Sequence, residues 1–330
     1  MRVVVVGAGV IGLSTALHLT ERFTGELEIT LVSDKFPPQT TSDKAGAILT
    51  PLTITKQDER LIRWMRGTFQ KFHSIYKSED NARAEITLQN GYLFLDEALS
   101  PDPWWKNEVF GFRHVDLDSV EASSLYVSPR CVDIVSFSTY IVESKSYTNW
   151  LLERVKKAGV TIHQKKVSDF SELSYDIIVN CTGLGSRDLL DDKLLYPLRG
   201  QIVVVKAPWV RTWMMEENED GIWHVFPRSR DVVLGGTAQA NDWNEIPDPE
   251  TASHILKCCQ EHIPSLSGAE IVGGWVGLRP QRDPICLESC DGPTNNFLIH
   301  CYGHGKKGVT YSWGCAQDIG HIIEQRLRSK

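Results

Sequence analysis

The sequence predicts an α/β protein in which a parallel-sheet domain is joined to a second, mostly antiparallel β domain. Three features predict this class: a strand–helix–strand pattern in the first 34 residues, a second such pattern between residues 147 and 183, and a β-rich stretch between residues 200 and 275. The length of 330 residues suffices for two domains. A net charge of -7 without a dense Lys/Arg run argues against nucleic-acid binding, so small molecules are the expected partners.

The opening MRVVVVGAGVIGLSTALHL has two interpretations. As a secretory signal it has the basic residue Arg2 and an apolar run, but it lacks a small-residue cleavage site. As a nucleotide-binding unit it has a β-branched strand at residues 3–6, then Gly7, Gly9 and Gly12, and then a helical pattern. These glycines permit a tight turn, close approach of a pyrophosphate, and packing of the helix on the strand, respectively. The pattern therefore favours dinucleotide binding.

Two further features belong to this nucleotide unit. Asp34 follows the second predicted strand, residues 27–32, at a place where an acidic side chain binds an adenosine ribose hydroxyl. The following loop offers the hydroxyls and amides of residues 40–42 to a phosphate, although an ordinary turn is the alternative. Asp43 is predicted to cap a helix whose first turn holds residues 45–47.

Hydrophobic periodicity predicts further helices at residues 58–76, 147–159 and 313–327, with Gly159 ending the second. Strands are predicted at residues 85–95, 160–164, 176–180, 201–205 and 231–237. The eight cysteines form no CxxC pair, so we expect no metal site and no disulfide framework, and an intracellular protein. No apolar run approaches the roughly 20 residues of a membrane helix.

Eight motifs are spread along nearly the whole chain: VVVVGAGVIGLSTAL, DKFPPQTTSD, PDPWWKNEVFGFR, IIVNCTGLGSR, LRGQIVVVKAPW, VVLGGTAQANDWNE, GLRPQRDP and YGHGKKGVTYSWG. In this order they resemble the D-amino-acid oxidase and D-aspartate oxidase family. The resemblance implies an α/β fold with a Rossmann-like FAD-binding domain and a second, mostly antiparallel β substrate domain. The FAD-binding domain is expected at residues 1–50, 142–198 and 291–330, and the substrate domain at residues 51–141 and 199–290.

The resemblance also implies which residues hold FAD, from its adenine end through the pyrophosphate to the flavin. They are Gly7, Gly9, Val10, Ile11, Gly12, Asp34, Lys35, Thr40, Thr41, Ser42, Ala45, Gly46, Ala47, Val167, Cys181, Thr182, Gly183, Arg279, Gly305, Lys306, Gly308, Val309 and Thr310.

The reaction implied by the resemblance is oxidative deamination of D-amino acids. Hydride moves from the substrate Cα to flavin N5, water hydrolyses the imino acid to a 2-oxo acid and ammonia, and molecular oxygen reoxidises the flavin with release of hydrogen peroxide. Because FAD supplies this chemistry, the chain must mainly orient the substrate. Arg279 in GLRP matches the family arginine that grips the α-carboxylate. The family also has a tyrosine that shares this carboxylate, and His224 stands at its position, where it would donate the same hydrogen bond and, if protonated, add charge. A one-residue slip would place Trp223 there instead.

The pocket for the substrate side chain is expected to include a moderately apolar set, Ile48, Thr50, Met215 and Phe226. The D-aspartate oxidase branch carries an arginine directly after GGT, where this sequence has Ala238. A second carboxylate buried without a partner would cost several kcal/mol, so the sequence slightly favours neutral D-amino acids or a broad range. Acidic D-amino acids are the alternative, and the cations that could replace the missing arginine are Lys306, Arg228 and Arg230.

Other classes stay open at this point: an amine or glycine oxidase of related FAD architecture, a nicotinamide-dependent dehydrogenase, and a catalytically silent flavin-binding protein. The family is commonly peroxisomal, but this chain ends in RSK, one leucine short of an SKL signal, so a cytoplasmic location is the alternative. The expected partners are a D-amino acid and molecular oxygen, without nucleic acid or membrane, and a homodimer is left open.

Overall fold

The computed structural model describes residues 1–51, 58–119, 125, 127–218 and 221–329. The terminal Lys330, on which the RSK comparison depends, lies outside these described residues, as do four short stretches of the expected substrate domain.

Within the described residues fourteen strands form one sheet. They are β1 (Arg2–Val6), β2 (Glu28–Ser33), β3 (Ile86–Leu95), β4 (Phe110–His114), β5 (Asp133–Val142), β6 (Thr161–Gln164), β7 (Ile177–Asn180), β8 (Tyr196–Lys206), β9 (Trp213–Asn218), β10 (Gly221–Pro227), β11 (Val232–Gly235), β12 (Gln239–Ala240), β13 (Glu270–Asp291) and β14 (Phe297–His304). The described helices are α1 (Val10–Arg22), α2 (Glu59–Tyr76), α3 (Asn81–Ala84), α4 (Ser144–Lys157), α5 (Ser186–Leu190), α6 (Pro249–His262) and α7 (Gly308–Arg328).

The sheet has a parallel end and a mainly antiparallel end. At the parallel end the strand order is β14-β7-β1-β2-β6. At the other end the order is β4-β5-β3-β9-β10-β11-β8-β13, in which only the described β3–β9 pair is parallel. Strand β13 pairs with β8 on one side and β14 on the other, so it connects the two parts. Open parallel sheets bind ligands at the carboxyl ends of their strands, so the ends of β1 and β7 are the place to look for a nucleotide site.

The parallel end is buried on both faces. Residues 3–6 are at most 2% exposed, as expected for a β-branched strand covered from both sides. On one face α1 packs against α4 and α7, and its Leu13 lies in one cluster with Ile319. On the other face Phe170 and Leu173 cover β1. This packing holds the turn after β1 in a rigid frame.

All five parallel strands fall within the residue ranges expected for the FAD-binding domain, and the antiparallel strands fall almost entirely within those of the substrate domain. The sheet is continuous, so it does not by itself divide the chain. The domain boundaries therefore stay a prediction.

The helices predicted at residues 58–76, 147–159 and 313–327 are present, but the second begins earlier, at Ser144, and the third begins earlier as well. Helix α2 begins after Asp58, whose side chain accepts a hydrogen bond from the N–H of Arg60 at 3.0 Å. Gly159 follows α4 with φ +82°, a left-handed conformation that favours glycine. The last helix begins at Gly308 and not at residue 313, because close packing on α2 overrides the low helix propensity of its glycines. A Cβ on Gly314 would overlap the backbone of Trp64, so that glycine is required for this packing.

The predicted helix at residues 45–47 is wrong. Residues Thr41–Lys44 form one 3-10 turn, and the chain is extended after it. Thr40 is the N-cap of this turn and Asp43 is its third residue, so the carboxylate caps the start of its own turn and not a following helix. Among the described helices, none is long and apolar enough to cross a membrane.

Candidate active site

A cavity of about 1040 Å³ is lined by residues from both parts of the sheet. Its wall includes the turn after β1, the end of β7, the middle of β13 and the start of α7. Every residue predicted to hold cofactor or substrate lines it, except Gly12, Ala238 and the two alternative cations Arg228 and Arg230. The cavity volume is at the upper end of the range for ligand pockets.

The three glycines of the opening motif have different surroundings. Gly7 has φ +108°, and a Cβ there would overlap the carbonyl group of Cys181. A Cβ on Gly12 would overlap the carbonyl oxygen of Gly7, so Gly12 shapes the turn from behind the cavity wall. A Cβ on Gly9 would meet only the Ser42 side-chain oxygen, at 3.2 Å. The space in front of Gly9 therefore belongs to the cavity and not to packed protein.

The start of α1 faces this space and is suited to an anion. Gly9 is the N-cap and offers no side-chain cap, and the first turn has no acidic residue. Helix N-termini attract anions through free N–H groups and the helix dipole. The N–H of Val10 donates to Ser42 Oγ at 2.9 Å, which joins the loop after β2 to the helix. This arrangement fits a pyrophosphate.

The loop that carries Thr40, Thr41 and Ser42 is held by a buried carboxylate. Asp43 Oδ2 accepts hydrogen bonds from the N–H and the hydroxyl of Thr40, both at 2.7 Å. The hydroxyl of Thr148 in α4 donates to the other Asp43 oxygen. Because these contacts fix the loop, its hydroxyls reach the cavity in one arrangement. Asp34, Lys35 and Val167 line the same end, where an adenosine would lie.

Arg279 on β13 provides the second feature of the site. Its guanidinium lies against Gly200, where a Cβ would overlap it. Arg279 Nη1 donates to the carbonyl oxygen of Thr237 at 3.0 Å. The described ion pairs do not include Arg279, and burial lowers its pKa to about 10, so it stays charged at neutral pH. A charged guanidinium that faces a cavity without a carboxylate partner is suited to bind one from a ligand.

His224 and not Trp223 faces the cavity. The His224 ring stacks on Phe226 at a centroid distance of 4.2 Å and fills the space where a Gly235 side chain would lie. Trp223 points to the opposite face, where it stacks on His262 at 3.7 Å and donates to Glu216. Adjacent residues of a strand point to opposite faces, so only one of the two can enter the pocket.

His224 carries no charge at neutral pH. It is 7% exposed, and its Nδ1 is buried without a hydrogen-bond partner among the described residues. Burial, followed by the charges of Arg279 and Lys306, lowers its pKa to about 3. The ring is therefore a neutral part of the pocket wall, and a role as an additional cation does not fit.

The candidate cations for a second carboxylate are mostly paired. Arg228 forms ion pairs with Glu143 and Asp231 outside the cavity, and Arg230 pairs with Glu85. Asp231 is a local partner, three residues after Arg228, whereas Glu143 and Glu85 lie far from these arginines in the sequence and meet them only in the fold. Neither arginine lines the cavity, so both are unsuited to replace the missing family arginine.

Two observations change the sequence-based picture of the substrate pocket. Ala238 is exposed and lies outside the cavity wall, so the absence of a cation there does not describe the pocket. Lys306 lines the cavity, but its Nζ is 2.6 Å from Glu217 Oε1. Glu217 and Lys307 also line the cavity and were missed. The consecutive lysines Lys306 and Lys307 were a possible sequence signal for a cation at the cavity. Side chains of consecutive residues in a 3-10 turn point about 120° apart, so the sequence did not show which of the two is available.

A buried group of two thiols and one imidazole lies where β14 ends and α7 begins, beside the cavity. His304 Nε2 is 3.8 Å from Cys301 Sγ and 3.4 Å from Cys315 Sγ. Among the described residues these three form a group whose spacing could hold a metal ion, although the sequence suggested none. The pKa values of both thiols are raised: the first cause for Cys301 is a hydrogen bond that its thiol donates to Cys315, and the first cause for Cys315 is burial. Thiols that stay protonated are poor metal ligands, so these cysteines are best explained as packing residues behind the cavity wall.

The parallel sheet, the glycine turn and the uncapped helix start define a dinucleotide-binding protein, and the free guanidinium in the same cavity adds a site for a small anionic ligand. The comparisons with known proteins agree. A family model described as FAD dependent oxidoreductase matches residues 2–322. The chain therefore belongs to the FAD-dependent oxidoreductase family, and FAD is its cofactor.

Relatives and solved structures are consistent with this family. D-aspartate oxidase of Homo sapiens is 36% identical, with 98% of this chain and 95% of that protein covered. D-amino-acid oxidase of Rubrobacter xylanophilus is 37% identical, with 99% and 97% covered. The structure of glycine oxidase from Bacillus cereus matches with a TM-score of 0.81 over 98% of this chain and 95% of that chain, at 20% identity. That last likeness concerns the fold alone.

Proposed function

We propose that this chain oxidises D-amino acids to 2-oxo acids and ammonia, with molecular oxygen as the electron acceptor and hydrogen peroxide as the second product. The observation that carries the proposal is Arg279, a charged guanidinium that faces the same cavity as the glycine turn and forms no ion pair among the described residues. The names of the relatives, D-amino-acid oxidase and D-aspartate oxidase, support the same substrate class.

The residues of the cavity fit FAD. The open space at Gly9 and the start of α1 would hold the pyrophosphate, and Asp34 would hold the ribose. The first turn of α7, with Gly308 and Thr310, would hold the flavin end, since it too lacks an acidic residue. The chemistry that FAD supplies when bound is the two-electron oxidation of the amino acid at its Cα–N bond.

The chain's own contribution is to bind and orient the amino acid. Arg279 would donate two parallel hydrogen bonds to the α-carboxylate, while Thr237 and Gly200 keep the guanidinium in place. Fixing the carboxylate fixes the position of Cα, and such positioning can lower a barrier by several kcal/mol. Ile48 and Met215 line the cavity as apolar residues that exclude water from the reacting carbon.

The test is an anaerobic absorbance titration of the FAD-bound protein with D- and then L-amino acids. We expect D-amino acids alone to bleach the flavin, and air to restore the spectrum with release of peroxide. A yellow protein that no D-amino acid bleaches would instead support a silent flavin-binding protein. Bleaching by both enantiomers would contradict the proposed stereochemistry.

The remaining proposals concern organisation and place in the cell. We propose the two-domain division given by the expected ranges. Because the chain crossings near residues 141 and 199 both lie inside paired strands, native-state hydrogen exchange tests the division: two domains should open with two separate free energies, and one shared value would contradict it. A peroxisomal location would suit a producer of hydrogen peroxide. Fluorescence microscopy of the chain with an N-terminal tag tests it, and a diffuse cytoplasmic signal would contradict it.

A further inference from the structure

Lys307 is a half-buried lysine of the cavity wall with unused hydrogen-bonding capacity. It ends the turn Gly305–Lys307 and directly precedes α7. Its Nζ donates to the carbonyl oxygen of Thr50 at 3.1 Å and to Thr50 Oγ1 at 3.0 Å. An ammonium group has three N–H donors, so one donor remains for a molecule in the cavity. Thr50 is only 3% exposed, so it holds the ammonium against a fixed support.

The charges around Lys307 leave its part of the cavity positive. Lys306 is neutralised by Glu217 at 2.6 Å, whereas the ion pairs of the described residues do not include Lys307. Burial lowers the pKa values of both Lys307 and Arg279, and the charge of Glu217 opposes this shift in each, so the two cations lie near the same carboxylate of the cavity wall. His224 is neutral. Three cations and one carboxylate therefore leave two positive charges.

We propose that Lys307 binds the side-chain carboxylate of an acidic D-amino acid while Arg279 holds its α-carboxylate. This inference rests on the proposed function and deepens it, because it assigns the residue that selects the substrate side chain. Two carboxylates balance the two positive charges. A neutral side chain would instead displace water from the Lys307 ammonium without replacing its hydrogen bond, which is costly for a buried charge.

The slight preference for neutral substrates drawn from the sequence is the competing hypothesis. It depended on Ala238, which lies outside the cavity wall, and on the absence of another free cation. Lys306 was the substitute considered first, but its charge is already matched by Glu217. Lys307 supplies the cation from the next position of the chain. A direct comparison of matched substrates separates the two hypotheses.

The first experiment compares kcat/KM for D-aspartate and D-asparagine, which have nearly the same shape and differ in charge. A hydrogen bond to a charged group is worth about 1.5–3 kcal/mol, so we expect the wild type to favour D-aspartate by about 10- to 150-fold. Lys307→Met should remove most of this ratio, and Lys307→Arg should keep part of it. Lys206→Met, at an exposed ion pair outside the cavity, is the matched control and should leave the ratio unchanged.

A second measurement needs no turnover. Binding of succinate and of its monoamide succinamate to the FAD-bound protein is followed by the change in flavin absorbance. We expect succinate to bind more tightly in the wild type and the difference to disappear in Lys307→Met. If that variant does not fold, Thr50→Val replaces it, since it removes one support of the ammonium and should shrink the difference.

Three results would overturn the inference. They are a wild type that uses D-asparagine as well as D-aspartate, a D-aspartate preference that survives in Lys307→Met, and an equal loss of both activities in that variant. The last result would mean that Lys307 acts on a step common to all substrates. Failure of every D-amino acid to bleach the flavin would sink the proposed function instead, and the succinate comparison would then decide the role of Lys307 separately.

Discussion

Replacing Gly9 by alanine tests whether the glycine turn is shaped for a bound pyrophosphate. The backbone of Gly9 has φ -74° and ψ 179°, a conformation that alanine adopts without strain. An added Cβ would have one protein neighbour within 4 Å, the Ser42 hydroxyl oxygen at 3.2 Å, which belongs to a side chain that can adjust. The apoprotein should therefore keep its stability, or gain up to about 1 kcal/mol from the lower entropy of its unfolded chain.

FAD binding should respond differently to the same change. The added methyl group would occupy the space where the pyrophosphate approaches the backbone, and overpacking of this kind costs about 1–3 kcal/mol. That cost corresponds to a Kd for FAD about 5- to 150-fold higher. The Kd is measured by titrating the apoprotein with FAD and following flavin fluorescence, and the stability by thermal unfolding without FAD.

Gly12→Ala is the matched control for Gly9→Ala. Its Cβ would overlap the backbone carbonyl oxygen of Gly7, so the apoprotein itself should lose stability before any cofactor is added. The reasoning is refuted if Gly9→Ala binds FAD as tightly as the wild type, or if it lowers the melting temperature of the apoprotein as much as Gly12→Ala does.

Further predictions concern the charged and titrating groups of the cavity. Arg279→Met should lower kcat/KM for D-amino acids, per bound flavin, by about 100-fold or more, because two charge-assisted hydrogen bonds are lost. The control Arg211→Met, at an exposed arginine, should leave kcat/KM unchanged. A loss of less than tenfold in Arg279→Met would contradict the role of Arg279 as the carboxylate anchor. His224 has a pKa of about 3, below its unfolded value, so its contribution to stability is present above pH 6.5 and declines as the pH falls towards 3. His224→Phe should therefore reduce the stability lost between pH 7 and 5 by about 2 kcal/mol in urea unfolding, and an unchanged loss would mean that the ring is not buried neutral. The preference for D-aspartate over D-asparagine should fall as the pH rises through about 8, where Lys307 of the free enzyme loses its charge. Glu217 and Lys306 are the charged groups that act on Lys307. A kcat/KM ratio that does not change between pH 7 and 9 would count against the role of Lys307.

The nucleotide-binding unit was predictable because its signals are local. The β-branched strand, the three glycines and Asp34 lie within the first 34 residues, and each has a defined place in a dinucleotide-binding unit. The structure confirms the strand and the helix. The start of α7 was not predictable in the same way, because Gly308 and Gly314 weaken the helical pattern and owe their place to packing against α2.

The sequence by itself determined the α/β class and the glycine turn for the cofactor, and the resemblance of GLRP to the family motif added the candidate anchor Arg279. Tertiary structure decided which of the remaining polar residues carry an available charge. Lys306 meets Glu217, Arg228 meets Glu143, and the Lys307 ammonium rests on Thr50. These partners are separated by many residues and come together only when the strands pair. Since a charge is available to a ligand only when no such partner neutralises it, the substrate preference could not be derived from the order of residues alone.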